Sequence, residues 1–208
     1  MIRRDVLLLG FSAAFALSMP AWALDRALTP EEQQLIADIG THNSAIRTMV
    51  GRFLQIDTNG GRSEGTFFLE RPDKIAFRYA PPSREEIVSV GRGFYVLNRR
   101  DETYYAYPQD TIPLRQFLGD RINLLEANVV DVTTSDGYIS ITVIDETVAG
   151  TVQVSLIFDT DTKELVQWSL VEPSGAELTF SLYDVEKDVQ IPRAFFSIPA
   201  TYKPMEQP

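Results

Sequence analysis

The 208-residue chain contains no cysteine and a single histidine, His42. Without thiols it forms neither disulfides nor thiolate metal sites, and one imidazole leaves zinc and nucleophilic chemistry with almost no ligands or bases. A lipid-modified cysteine at the N-terminus of an exported form is excluded as well. His42 lies among polar residues of a predicted helix, so we interpret it as a solvated side chain.

The motifs of common enzyme classes are also missing. Residues 91–93, Gly-Arg-Gly, lack the third glycine of a dinucleotide-binding fingerprint, and the chain has neither a phosphate-binding loop nor a nucleophile elbow. Acids at predicted turns, such as Asp136 and Asp159, are typical of local backbone hydrogen bonds. Two carboxylates that converge in space could still form a glycosidase pair, but the residues indicate no enzyme and no cofactor.

Positive charge is scarce, with 19 Lys and Arg against 29 Asp and Glu and a net charge of −10. Nucleic acids and anionic lipid headgroups attract proteins through clustered Lys and Arg. The charge therefore argues against both as partners and favours a soluble, monomeric body.

The longest apolar run lies at the N-terminus. Arg3 and Arg4 precede the apolar residues 6–17, and residues 21–23, Ala-Trp-Ala, form a small-x-small cleavage site. The run is shorter than the roughly 20 residues that a membrane-spanning helix needs. We therefore predict a cleavable signal peptide over residues 1–23, exported by the Sec or the twin-arginine route, and a single mature domain over residues 24–208.

One amphipathic helix is predicted at the start of the mature domain. Thr29, Pro30 and the acids at 31–32 have the pattern of a capped helix N-terminus. Apolar residues then recur at helical spacing from Leu35 to Met49, with Gly40 as an expected kink or interruption.

Alternating apolar and polar residues between turn signals predict β-strands in the remainder of the chain. The predicted strands are 51–56, 65–70, 74–79, 86–90, 94–98, 103–107, 129–133, 138–144, 151–158, 165–171 and 177–183. Segment 113–127 interrupts this pattern and favours one or two short helices. About ten strands, with helices only at the start and in the middle, indicate a mainly β (α+β) fold: one large antiparallel sheet curled on itself. Its interior can be a binding cavity or a plain core, and the two helical segments can cover its mouth.

Strand parity indicates which side chains face the interior of this sheet. The predicted inward set on two neighbouring strands comprises Phe67, Leu69, Arg71, Ile75, Phe77 and Tyr79. The aromatic and leucine side chains are candidates for the cavity wall, although such residues are equally typical of a plain core. Burying the guanidinium of Arg71 on an apolar face costs free energy unless its N–H donors find acceptors, and helix carbonyls are suitable acceptors. Alternatively, the side chain extends from the strand end to water.

Four stretches between Met49 and Gly91 form a distinctive pattern. They read MVGRFLQ at 49–55, GTFFLERPDK at 65–74, FRYAPP at 77–82 and IVSVG at 87–91. In order and spacing they resemble the LolA family of periplasmic lipoprotein carriers, with which FFSIP at 195–199 agrees more loosely. The resemblance implies an incomplete antiparallel β-barrel of ten to eleven strands, capped by short helices and curled around a hydrophobic cavity that takes up the acyl chains of lipoproteins. It also implies a LolCDE-type inner-membrane ABC transporter as donor and, in many bacteria, the lipid-anchored LolB as acceptor.

Within this resemblance, Arg71 matches the arginine that hydrogen-bonds the lid helices and holds the empty cavity closed. Ile75 matches a position implicated in contact with the transporter, which requires partial exposure, whereas parity places Ile75 inward. The expected function is therefore a non-enzymatic carrier of acylated lipoproteins in the periplasm. Two alternatives stay open: a lipoprotein- or lipid-sensing regulatory module with the same half-barrel, as in RseB-like stress sensors, and a carrier of glycolipids.

Overall fold

A computed structural model describes residues 27–109, 115–147 and 150–206, so the predicted signal segment 1–23 lies outside it. The predicted first helix is present as α1 (Pro30–Ala45). The hydroxyl of Thr29 accepts a hydrogen bond from the backbone N–H of Glu32 at 3.2 Å, and the Glu32 carboxylate accepts one from the N–H of Thr29 at 2.8 Å. This reciprocal capping box satisfies two of the donors that a helix leaves free at its start.

The expected interruption at Gly40 is wrong, because α1 runs through this residue without a break. A Cβ at this position would lie 2.6 Å from the carbonyl oxygen of Ile122. Glycine here allows residues 119–123 to cross the helix at close range. Ser44 fixes the crossing, since its hydroxyl donates to the Gly40 carbonyl at 2.6 Å and accepts from the N–H of Ile122 at 2.8 Å.

Twelve strands, among the described residues, form one sheet. They are β1 (Thr48–Asp57), β2 (Arg62–Glu70), β3 (Lys74–Tyr79), β4 (Glu85–Val90), β5 (Gly93–Asn98), β6 (Thr103–Pro108), β7 (Asn128–Ser135), β8 (Tyr138–Thr147), β9 (Gly150–Asp159), β10 (Leu165–Val171), β11 (Glu177–Lys187) and β12 (Lys203–Pro204). Met49, which the helical spacing included, belongs to β1.

The strand order is β12-β6-β5-β4-β3-β2-β1-β11-β10-β9-β8-β7, and every neighbouring pair is antiparallel except β12 with β6. Within the described residues the two outer strands, β12 and β7, do not pair with each other, so the sheet is open. The predicted incomplete antiparallel barrel is therefore confirmed, with one short strand more than expected. The first strand pairs with the eleventh, which joins the two halves of the chain at the middle of the sheet.

The predicted helical segment 113–127 contains two short 3-10 helices, Arg115–Leu118 and Leu124–Glu126, with residues 113–114 outside the described range. We call residues 115–127 the covering segment. Together with α1 it packs on the concave face of β8 and β9 through buried apolar side chains, among them Ile36, Ile39, Ile122, Ile141 and Leu156. In the described part of the chain, no helix is long and apolar enough to cross a membrane.

The convex face of β3 to β5 has its own cover. A third 3-10 helix, Arg193–Phe196, places Phe196 against Ala76, Val88 and Leu97. Because this outer face is closed by the C-terminal segment, the opposite, concave face of the same strands is the one left for a cavity.

Candidate ligand-binding cavity

A cavity of about 250 Å³ lies on the concave face, between the sheet and the covering segment. Among the described residues that line it, every side chain except those of Asn43 and Arg71 is apolar. The wall comes from β1 to β5, β10 and β11, and Phe117 and Leu118 of the covering segment close it from above. Such a wall provides an environment for hydrocarbon and offers almost nothing to a polar ligand.

Strand alternation builds most of this wall. On β11, Leu178, Phe180 and Leu182 point to the cavity at intervals of two. On β10 the register with β9 shifts between Leu165 and Gln167. This bulge places Leu165 on the same face as Trp168 and Leu170, so that all three line the cavity.

Five of the residues singled out from the sequence line the cavity: Phe67, Leu69, Arg71, Ile75 and Phe77. Ile75 is only partly buried, which places it on the wall with some exposure. Tyr79 lies beside the cavity and is not part of its lining. It is buried, its ring meets Phe53 edge-on at 5.0 Å between centroids, and its hydroxyl donates to the side-chain carbonyl of Gln55.

The part of the cavity wall that β10 and β11 form was not identified from the sequence. Trp168, Leu170, Phe180 and Leu182 belong to β10 and β11, about a hundred residues beyond the first hairpins. The alternation at 178, 180 and 182 marks an apolar face, but the pairing of β1 with β11 that brings this face to Phe67 has no local signal.

Arg71 follows β2 and is buried, with 7% of its surface exposed. The alternative that it extends to water is therefore wrong. Its Nε donates to the carbonyl of Ile46, directly after the end of α1, at 3.1 Å, and its backbone N–H donates to the carbonyl of Arg47 at 2.8 Å. Its Nη1 is buried and has no hydrogen-bond partner among the described residues. Burial, with a smaller contribution from the charge of Arg47, lowers the pKa of Arg71 to about 10, which leaves the guanidinium protonated at neutral pH.

Polar contacts hold the cover at several points, among them two hydrogen bonds from Arg115 to the Asp145 carboxylate on β8, at 2.7 and 3.4 Å. Arg47 donates to the Asp120 carboxylate at 2.7 Å, and the N–H of Asp73 donates to the Leu118 carbonyl at 2.8 Å. At the C-terminal end of α1, Asn43 donates to the carbonyl of Lys163 at 2.7 Å. Because the Arg47–Asp120 pair is exposed, it contributes little, on the order of 0–1 kcal/mol.

His42 is only in part the solvated residue expected. Its side chain is 39% exposed, but its Nε2 is buried, lacks a hydrogen-bond partner among the described residues and lies 3.8 Å from a carboxylate oxygen of Glu164. It faces the turn after β9 and is not among the residues that line the cavity.

Within the described ranges, the open, mainly antiparallel sheet, one α-helix and an apolar cavity on the concave face define a LolA-like half-barrel. Residues 44–199 match the family described as outer membrane lipoprotein carrier protein LolA, and the chain belongs to this family. The outer-membrane lipoprotein carrier protein of Alkalilimnicola ehrlichii is 34% identical over 74 residues, which span 33% of this chain and 35% of that relative.

Solved structures show the same fold. An uncharacterized conserved protein from Thermus thermophilus has a TM-score of 0.51 at 6% identity, covering 84% of this chain and 98% of that one. A putative outer membrane lipoprotein-sorting protein domain from Vibrio parahaemolyticus has a TM-score of 0.50 at 8% identity, covering 79% and 95%. At such identities the likeness establishes the architecture alone.

Proposed function

We propose that this protein carries the acyl chains of outer-membrane lipoproteins through the periplasm, in the cavity between the sheet and the covering segment, without catalysing a reaction. The observation that carries the proposal is the apolar wall, which in the described part of the chain is interrupted by Asn43 and Arg71 alone. Membership of a family of non-enzymatic lipoprotein carriers supports lipoproteins as the cargo.

A carrier of this kind transfers an acyl chain from the membrane into a protein cavity and so keeps it out of water. Exposing a sixteen-carbon chain to water costs on the order of 10 kcal/mol, at about 0.8 kcal/mol per methylene, so an acylated protein does not cross an aqueous compartment unshielded. The cavity of about 250 Å³ is larger than the roughly 150 Å³ that hold a benzene molecule, yet smaller than typical pockets for drug-sized ligands. Uptake of whole acyl chains therefore requires the cover to move.

Arg71 is the proposed latch of that movement. Its hydrogen bond to the Ile46 carbonyl joins the start of the β2–β3 turn to the end of α1. Opening the cavity at this end breaks a charge-assisted hydrogen bond, which opposes binding by about 1.5–3 kcal/mol and keeps the cargo transferable.

The proposed partners follow from the family: a LolCDE-type transporter as donor and a LolB-type acceptor where one exists. Ile75 is proposed as a transporter contact. Because it lines the cavity and is partly exposed, a transporter that touches it would meet the protein at the cavity wall.

Mass spectrometry of the protein purified from the periplasm tests cargo and location together. We expect triacylated lipoprotein in the complex and a mature chain that begins at Leu24, since the site at 21–23 favours cleavage after Ala23. Recovery of glycolipid alone would replace the proposed cargo. An intact N-terminus in the membrane fraction would contradict export with cleavage.

Substitutions on adjacent residues of β10 test the cavity itself. Cleavage after Ala23 removes Trp22 and leaves Trp168, on the cavity wall, as the tryptophan that reports binding. We expect a neutral alkyl ester with a brominated chain to quench its fluorescence. Leu170→Gln puts an unpaired amide into the wall and should weaken binding about tenfold.

Ser169→Gln places the same side chain on the opposite face of β10 and is the matched control, with a change below about twofold. Equal effects of the two variants, or no quenching in the unsubstituted protein, would show that the cavity does not receive the chain.

A further inference from the structure

Arg71 places a buried positive charge in the cavity wall. Among the described residues it forms no ion pair with a carboxylate, and the charged side chain that acts on it most is another cation, Arg47. One of its donors is used by the Ile46 carbonyl, while Nη1 has no acceptor in the described part of the chain. A latch needs only the first of these contacts, so the second donor calls for a separate explanation.

A buried charge that lacks a counter-charge is unfavourable, and a buried donor without an acceptor adds to this cost. A ligand oxygen at Nη1 removes the second cost, and an anionic oxygen removes both. Charge-assisted pairs between a guanidinium and a carboxylate are roughly twice as strong as neutral hydrogen bonds. Since the rest of the wall near Arg71, including Leu69, Ile75 and Phe117, is apolar, the group attached to this oxygen must be hydrocarbon.

We propose that the cavity is a binding site for long-chain carboxylates, in which, once the cover has moved, Arg71 Nη1 donates to the carboxylate of a free fatty acid while the alkyl chain lies along the apolar wall. The inference uses the same cavity as the proposed function, and it identifies a class of ligand that competes with lipoprotein for it. The ester carbonyl of an acylated protein offers the same kind of acceptor without the charge, so it satisfies Nη1 but leaves the guanidinium uncompensated.

Three ligands of equal chain length separate charge from hydrocarbon: palmitate, methyl palmitate and hexadecanol. Their affinities are measured at pH 8, where palmitate is ionised, by displacement of the brominated neutral ester from the mature protein. We expect palmitate to bind at least about tenfold more tightly than hexadecanol, with methyl palmitate close to hexadecanol.

Variants at Arg71 test whether this side chain causes the preference for palmitate over hexadecanol. Arg71→Gln should bring the palmitate-to-hexadecanol ratio to within about twofold while hexadecanol itself still binds, and Arg71→Lys, which keeps a charge, should retain part of the preference. Arg121→Gln, an exposed arginine of the covering segment, is the matched control and should leave the ratio unchanged.

Equal binding of palmitate and hexadecanol by the unsubstituted protein, or an unchanged ratio in Arg71→Gln, would overturn the inference. Different results would contradict the proposed lipoprotein function. Lipoprotein in the periplasmic complex without a carboxylate preference leaves the carrier proposal standing, whereas a carboxylate preference without lipoprotein leaves only the fatty-acid site.

Discussion

Replacing Phe53 by alanine is expected to lower the free energy of unfolding by about 3–5 kcal/mol. Phe53 on β1 is fully buried at the centre of an aromatic cluster beside the cavity. Its ring meets Phe77 edge-on at 5.2 Å and Tyr79 at 5.0 Å between centroids, and it lies tilted against Phe180 at 6.0 Å. Alanine removes all three ring contacts and leaves a void that a twelve-stranded sheet closes only in part.

Because of the residue opposite Phe53 on β2, we expect a loss of stability near the upper end of this range. Phe53 faces Gly65 on β2, where a Cβ would lie 2.7 Å from the Phe53 ring and 2.1 Å from the carbonyl oxygen of Arg78. The ring therefore occupies the space above a bare backbone. Without it, the space over Gly65 stays empty, because glycine has no side chain to move into it.

Equilibrium unfolding in denaturant measures this effect, with Phe94→Ala as the control. Phe94 is half-buried, lines the cavity and meets Tyr107 at 6.2 Å, so its loss should cost less than half as much. A loss below about 1 kcal/mol for Phe53→Ala would show that the cluster is not the core of this half of the sheet.

The same two strands explain why the most distinctive stretch of the sequence reads as it does. Gly51 on β1 faces Phe67 on β2, and a Cβ at Gly51 would lie 2.7 Å from the Phe67 ring. The pairs Gly51–Phe67 and Phe53–Gly65 are thus reciprocal, each glycine making room for the ring on the opposite strand. A Gly-x-Phe on both strands is a packing solution, and this physical constraint underlies part of the resemblance seen at 49–55 and 65–74.

Local signals predicted most strands because alternation and turn residues act over a few positions. β3 (Lys74–Tyr79) and β10 (Leu165–Val171) have the predicted bounds. The two-residue strand β12 (Lys203–Pro204) was missed, since so short a pairing leaves no alternation to recognise. The covering segment forms 3-10 rather than α-helices, and Gly119, Asp120 and Asn123 interrupt its apolar spacing.

For the cavity, the sequence predicted the part of the wall on β2 and β3 and did not predict the part on β10 and β11. Parity correctly placed Phe67, Leu69 and Phe77, because a side chain's face depends only on its own strand. Parity does not say how far along the strand the cavity extends, which is why Tyr79 falls beside it. The opposite wall depends on the pairing of β1 with β11, a contact between residues more than a hundred positions apart.

Arg71→Leu is expected to separate the two steps of lipoprotein transport: release from the inner membrane is retained, and transfer to an outer-membrane acceptor falls by about tenfold or more. Leucine removes the hydrogen bond from Nε to the Ile46 carbonyl, so the cavity opens at lower cost. It also removes the charge from the wall. The lower cost of opening favours the loaded state over the empty one, so the cargo is accepted but held too tightly to be passed on.

Stability distinguishes this latch from an ordinary structural arginine. Loss of the hydrogen bond leaves the Ile46 carbonyl unpaired, while loss of a buried charge without a counter-charge is favourable, so we expect the free energy of unfolding to change by less than about 1 kcal/mol. A purely structural Arg71 would instead lower stability and weaken both transport steps together.

The measurement is a two-step assay, in which lipoprotein is first released from inner membranes into a soluble complex and then transferred to outer membranes. Arg121→Leu, on the exposed side of the covering segment, changes the same residue type without touching the latch, and both steps should proceed as in the unsubstituted protein. Retained release with impaired transfer is the expected result for Arg71→Leu. Equal loss of both steps, or loss of neither, would mean that the contact between Arg71 and the end of α1 does not control the opening of the cavity.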